Sequence, residues 1–167
     1  MNSMRSPFVE KVVLSAGGVD ANLAKAKKLL EMLSGMKAQI IKAGAKRRIP
    51  ELNVKPGMEL GTRVTLRGEK ALQMLRRLLG AIDNSLKRKQ IADNHFSFGI
   101  EEYIDIPDME YVREIGIRGF NATIVFARAG FRVSRKKIKR GRVPKKQHIT
   151  PDEIVNYMEE NFKTKFE

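Results

Sequence analysis

Between residues 131 and 147 this chain carries nine basic side chains and no acidic one: Arg132, Arg135, Lys136, Lys137, Lys139, Arg140, Arg142, Lys145 and Lys146. Like charges held close repel, and burying any of them without a partner costs more than a small core supplies. The stretch must therefore lie outside the hydrophobic interior, as an exposed loop or arm that orders on a phosphate backbone. It also dominates the charge of the whole. The net charge is +14 over 167 residues, and outside the arm only 24 basic residues face 19 acidic ones. A second excess runs over 37–55, with six basic residues against Glu51, while 149–167 reverses the sign with five acidic residues and two lysines. So localised an excess suits a polyanionic partner, and RNA or DNA is the commonest polyanion.

The remaining composition describes an ordinary folded protein. Apolar residues make up 42% of the chain, enough for a core, and the length suits one domain over 1–167 with a long loop at 43–57 and the basic arm at 131–147. Cysteine is absent, which excludes disulfides, thiolate metal sites and a cysteine nucleophile. No apolar run approaches the ~20 residues that span a bilayer. Residues 1–10 lack the apolar core of a leader peptide, so a cytoplasmic protein without membrane contact is expected.

Hydrophobic periodicity predicts the elements. Val12, Val13 and Leu14 form a β-branched run over 11–15, closed by Gly17-Gly18. Asp20 stands where it can cap a helix over 21–33, whose stripe is Leu23, Ala26, Leu30 and Leu33, and Ser34-Gly35 stops it. A short strand is expected at 38–42, and the glycines and prolines of 43–57 predict a loop. Residues 62–67 alternate Val64 and Leu66 with Arg63, Thr65 and Arg67, the period of a half-buried strand. Gly68 leads into a helix over 69–79 with Leu72, Leu75, Leu78 and Leu79 inward. Strands follow at 95–100 and 122–127, and Thr150-Pro151-Asp152-Glu153 opens a closing helix to Phe162. Strands and helices do not alternate strictly. The expected class is α+β: about five strands in an antiparallel or mixed sheet, with helices on one face.

Catalytic constellations are missing. Glu101 and Glu102 are adjacent, so on a strand they point to opposite faces. His95 and His148 lie in different elements without metal-ligand spacing, and neither a cofactor nor a metal is implied. Gly17-Gly18 lacks the lysine-serine or lysine-threonine of a phosphate loop. Gly116-Ile117-Arg118-Gly119 fits the short Gly-x-x-Gly pattern of KH domains, but a glycine-bounded turn before the next strand accounts for it. Phe96 and Phe98 share one face of their strand, where the core is the commoner destination than a base-stacking platform. Alternation offers a better clue. If Val64 and Leu66 face the helices, Arg63, Thr65 and Arg67 face away. By the same logic Lys11, Val13 and Ser15 share a face, as do either Gln39 and Ile41 or Ala38, Ile40 and Lys42. A sheet face of arginine, lysine and hydroxyls can dock an RNA backbone and its 2′-hydroxyls. An ordinary wet antiparallel face has the same look.

Six blocks carry a resemblance: EKVVLSAGG (10–18), LSGMKAQIIKA (33–43), KPGMELGTRVTLRG (55–68), NHFSFGIEEYID (94–105), GIRGFNATIVFARAGF (116–131) and HITPDEIVNYM (148–158). In this order they resemble the family of the universal large-subunit ribosomal protein five, the 5S-rRNA-binding proteins of the central protuberance, in its archaeal and eukaryotic-like form. The resemblance implies an α+β structural constituent of the large ribosomal subunit that performs no chemistry, binds 5S rRNA and helps attach it to the large rRNA. Carried over by position, the rRNA-binding candidates are Lys11, Ser15, Met36, Lys37, Lys42, Arg63, Thr65 and Arg67, joined by Arg132, Arg135 and Lys136 of the arm. Family members commonly have asparagine in place of Ser15 and glutamine in place of Met36. The loop 43–57 matches the family's loop that reaches toward transfer RNA in the peptidyl site, with Lys46, Arg47 and Arg48 as its phosphate contacts. The resemblance also implies contact with small-subunit head protein thirteen in an inter-subunit bridge, and with neighbouring 5S-associated ribosomal proteins. A free-standing RNA-binding regulator or chaperone is the alternative that residues and charge leave open.

Overall fold

The computed structural model describes residues 3–46 and 48–166. It is α+β, with a six-stranded antiparallel sheet and three helices, in agreement with the class expected. In chain order the strands and helices are β1 (Phe8–Gly17), α1 (Ala21–Ser34), β2 (Gln39–Lys42), β3 (Glu59–Arg67), α2 (Glu69–Gly80), β4 (Ser85–Leu86), β5 (Ile91–Ala92), β6 (His95–Ile100), β7 (Phe120–Ala127), α3 (Pro151–Phe162) and β8 (Lys165–Phe166). The sheet runs β2-β3-β1-β7-β6-β5, and β4 and β8 form a separate parallel pair. The three two-residue strands were not foreseen, because a period of two cannot be read from so short a segment. The chain divides into two compact units, one of Val13–Leu66 and Gly99–Ala122, the other of Met1–Val12, Arg67–Phe98 and Thr123–Glu167.

Strand alternation follows the sequence closely. Along β1, Val12, Leu14 and Ala16 are buried, while Lys11, Val13 and Ser15 are half-buried on the other side. Along β3, Val64 and Leu66 are buried, Arg63 and Arg67 are exposed, and Thr65 is half-buried. A pleated strand sends successive side chains to opposite faces, so burying one set commits the other to water.

In the Val13–Leu66 and Gly99–Ala122 unit, α1 buries Leu23, Ala26, Leu29, Leu30 and Leu33. It ends at Gly35, whose φ of 62° lets its N–H reach the Glu31 carbonyl at 2.9 Å. Asp20 does occupy the position before the helix but makes no side-chain capping bond. Its φ of 50° belongs to the turn after the glycine pair, not to the extended backbone from which a cap side chain folds back. The segment 43–57 is less bare than a loop: Ile49 and Val54 form an antiparallel bridge around a 3₁₀ turn at Pro50–Leu52, closed by Asn53 at φ 52°. The fully buried Tyr103 accepts the Val112 N–H on its hydroxyl at 2.7 Å. Gly119 admits no side chain, since a Cβ there would sit 2.5 Å from the Ile100 carbonyl oxygen and 2.6 Å from that of Glu101.

In the other unit α2 is inward through Ala71, Met74, Leu75, Leu78 and Leu79, whereas Leu72 is 37% exposed. The stripe at i, i+3, i+4, i+7 and i+8 from Ala71 excludes the next position, one residue and about 100° around the helix. α3 begins as expected, with Pro151 in its first turn and the Glu153 carboxylate accepting the Thr150 N–H at 3.0 Å. Phe96 is core: its ring centroid lies 6.0 Å from Phe98 and 5.8 Å from Phe126, and Tyr157 meets Phe126 edge-on at 5.6 Å. Burial pushes the Tyr157 hydroxyl up from its ordinary pKa. With both phenylalanines enclosed, β6 offers no ring for a base to stack on.

Gly119→Ala is expected to lower stability in urea unfolding by about 1–3 kcal/mol, because backbone must move. Gly44→Ala, with open space around its Cβ, should be near neutral.

Candidate nucleic-acid interface

The outward residues of β2 and β3 form one cluster. Gln39 pairs with Arg63, Ile40 with Thr62 and Ile41 with Gly61. Ala38 is buried and Gln39 exposed, which settles the alternative left by the sequence: Gln39 and Ile41 share the outward face with Arg63. The Arg63 Nε donates to the Gln39 side-chain oxygen at 3.1 Å, holding the guanidinium extended while leaving its terminal nitrogens to a phosphate. Beneath it, Thr62 is fully buried and its hydroxyl donates to the Gln39 carbonyl at 3.3 Å.

Lys42 does not join this face simply. The register breaks between Ile41 and Lys42, so alternation no longer fixes the lysine, and its ammonium lies 3.1 Å from Glu59. Both partners are exposed, and such a pair is worth only about 0–1 kcal/mol, so a phosphate can replace the carboxylate. Met36 and Lys37 sit exposed in the turn between α1 and β2, where the Ser34 hydroxyl accepts the Met36 N–H at 3.2 Å. Ser15 is half-buried on β1. Lys46 and Arg48 are exposed on the 43–57 segment, and Arg47 lies outside the described residues. The turn at 116–119 is engaged elsewhere. Arg118 donates to the Asn22 carbonyl at 2.9 Å and its side-chain oxygen at 2.7 Å, which favours the structural reading of Gly-x-x-Gly. Lys28 pairs with Glu114, and that exposed ion pair holds the Glu114 carboxyl below its ordinary pKa.

Lys11, Arg67 and the arm belong to the other unit. The arm is not a featureless loop: it contains 3₁₀ turns at Phe131–Arg135 and Lys145–Gln147, and the Gly141 N–H returns to the Val133 carbonyl at 3.2 Å. Nor is it wholly without a counter-ion, as the charge run implied. Arg135 pairs with Glu10 of β1, whose side chain is only 10% exposed, and the guanidinium carbon sits 5.4 Å from the Phe131 ring centre. Arg140 donates to the Ser134 carbonyl at 2.6 Å. Among the described residues, no carboxylate lies in ion-pair range of Arg132, Lys136, Lys137, Lys139, Arg142, Lys145 or Lys146. Glu10 and Gln39 were invisible as partners from sequence, since neither sits at a helical or adjacent spacing from its arginine.

Of the histidines, His95 bonds the Asp93 carbonyl at 3.1 Å, and among the described residues no cluster of histidine, aspartate and glutamate could hold a metal. Among those residues no helix is long and apolar enough to cross a membrane.

Residues 59–150 match the C-terminal region of the uL5 family of ribosomal proteins. The chain is 40% identical over 160 residues to the large ribosomal subunit protein uL5 of Nanoarchaeum equitans, covering 94% of each chain. The uL5 proteins of Methanosphaera stadtmanae and Methanococcoides burtonii are 33% identical over 170 residues and 35% over 169, at 100% and 99% coverage of both chains.

The chain belongs to the uL5 family of ribosomal proteins.

The archaeal relatives extend along its length, so the archaeal-type form expected from the six blocks is the one found. A protein of this ribosomal family is structural and not enzymatic, consistent with cations presented outward and with carboxylates dispersed or paired. As a ribosomal protein it is cytoplasmic.

Glu10→Gln is expected to destabilise the protein by about 1 kcal/mol in urea unfolding at low salt, with a smaller difference in about 1 M salt as ions screen the half-exposed Arg135. An equal loss at both salt concentrations would assign the effect to packing of the Glu10 stem.

Proposed function

We propose that this protein is a structural constituent of the large ribosomal subunit that binds 5S rRNA and helps attach it to the large rRNA. The observation that carries this reading is the outward row of β3. Arg63, Thr65 and Arg67 are kept in water by the burial of Val64 and Leu66, and among the described residues neither arginine is paired with a carboxylate. The archaeal relatives carry the name of large-subunit proteins, which supports the same assembly here.

In this reading arginines and lysines dock phosphates and release counter-ions, while Ser15 and Thr65 offer hydroxyls to phosphate or ribose. Lys11, Met36, Lys37 and Lys42 extend the contact, and Arg132, Arg135 and Lys136 add the arm. The 43–57 segment, through Lys46, Arg47 and Arg48, meets transfer RNA in the peptidyl site. The inter-subunit bridge to head protein thirteen and contacts with other 5S-associated proteins follow from the same placement. Recognition is by charge, shape and 2′-hydroxyl, with no bond made or broken.

Binding of 5S rRNA should weaken steeply with salt. Neutralising about six phosphates gives a log-log slope on the order of −4 to −5, and a slope near zero would refute the docking. Footprinting with Arg63→Ala/Arg67→Ala should lose protection at a discrete site, whereas an unchanged footprint would move the contact to the loops.

A further inference from the structure

One cavity of about 610 Å³ is framed by three separate segments of the unit that holds the arm: residues 4–5, residues 128–133 after β7, and residues 142–147 of the arm. Its lining includes four cationic side chains, Arg5, Arg128, Arg142 and Lys146, and no acidic one. Chain segments far apart in sequence thus converge their positive charges on one concave space, an arrangement that repels itself unless an anion occupies it. Arg128 sharpens the point. Its side chain is only 11% exposed, and one terminal nitrogen pairs with Glu153, yet its Nε is enclosed and makes no hydrogen bond. A buried charged donor left without an acceptor is costly, and it lines the cavity. The remaining wall includes Val133, Val143 and Pro144, and Gln147 contributes an amide. A bare inorganic anion gains nothing from the apolar part, whereas a sugar-phosphate unit meets both kinds of surface.

We propose that this cavity is a phosphate-binding pocket that seats one sugar-phosphate unit of the RNA backbone. The proposal rests on the RNA-binding role given above but places a contact apart from Arg63. The four cations hold the phosphodiester oxygens, the apolar wall receives the ribose, and the Gln147 amide is available to its 2′-hydroxyl. The arm is then more than a diffuse cationic tail: its second half is one wall of a built site.

The test uses the full chain with Arg5→Ala/Arg142→Ala, and leaves Arg128 intact because of its Glu153 pair. A melt within the wild-type range confirms folding; if it shifts, Arg142→Gln alone replaces the double variant. Three measurements are made on each protein: the salt dependence of 5S rRNA binding, the 5S rRNA footprint, and the thermal shift with inorganic phosphate. The expected result is a salt slope shallower by about 1 to 2, since each phosphate-contacting cation contributes about one. It comes with protection lost at a site other than the one Arg63→Ala/Arg67→Ala removes, and Arg5→Lys/Arg142→Lys restores most of the slope. An unchanged slope and footprint, while wild type still binds, overturns the pocket and leaves the sheet reading standing. A phosphate-induced thermal shift abolished in the variant, with RNA binding unaltered, also overturns it by assigning the cavity to free anion. Failure of wild-type RNA binding itself would sink the broader reading and the RNA occupant with it.

Discussion

The pleat of β1 and β3 is the constraint on which the functional surface depends. Val12, Leu14 and Ala16 on one strand, and Val64 and Leu66 on the other, are withdrawn from water. Fully burying a valine or leucine side chain is worth about 1.5–3 kcal/mol. A slip of one residue would expose the apolar set and bury Arg63 and Arg67, a loss of several such contributions together with unpaired buried charge. The position of the outward arginines is therefore secured by the hydrophobic residues between them. Binding groups mounted on such a strand keep their spacing without spending affinity on ordering it.

Electrostatics within the molecule sorts the cations into two classes. Some are anchored: Lys28 to Glu114, Arg135 to Glu10, Arg128 to Glu153, and Arg118 to Asn22. Each joins segments distant in sequence, and each withdraws a cation from the set offered to a partner. The others face solvent without an acid nearby, and they include most of the arm. A protein that holds so many like charges apart from its own carboxylates carries a repulsive energy that an external polyanion relieves, which links the fold to the ribosomal assembly of its family.

Helix faces and strand faces were legible because their periods are local. Leu23, Ala26, Leu30 and Leu33 lie on α1 as their spacing indicates, and Val64 and Leu66 lie inward on β3. The reading failed where a competing local feature intervened. Asp20 fell in a positive-φ turn, Leu72 lost its inward place to Ala71 and Met74, and Lys42 stood beyond a break in register that no composition marks.

Sequence by itself determined the α+β class, the outward row Arg63–Thr65–Arg67, the enclosure of Phe96 and Phe98, and the family, because these follow from residue spacing and from ordered blocks of identity. Only the tertiary structure decided which cations keep a free charge. It placed Glu10 against Arg135, 125 residues away, and brought Arg5, Arg128, Arg142 and Lys146 around one cavity. Such meetings depend on where the chain returns after its turns and strands, and that return path is set by packing of the whole unit and leaves no periodic trace in the order of residues.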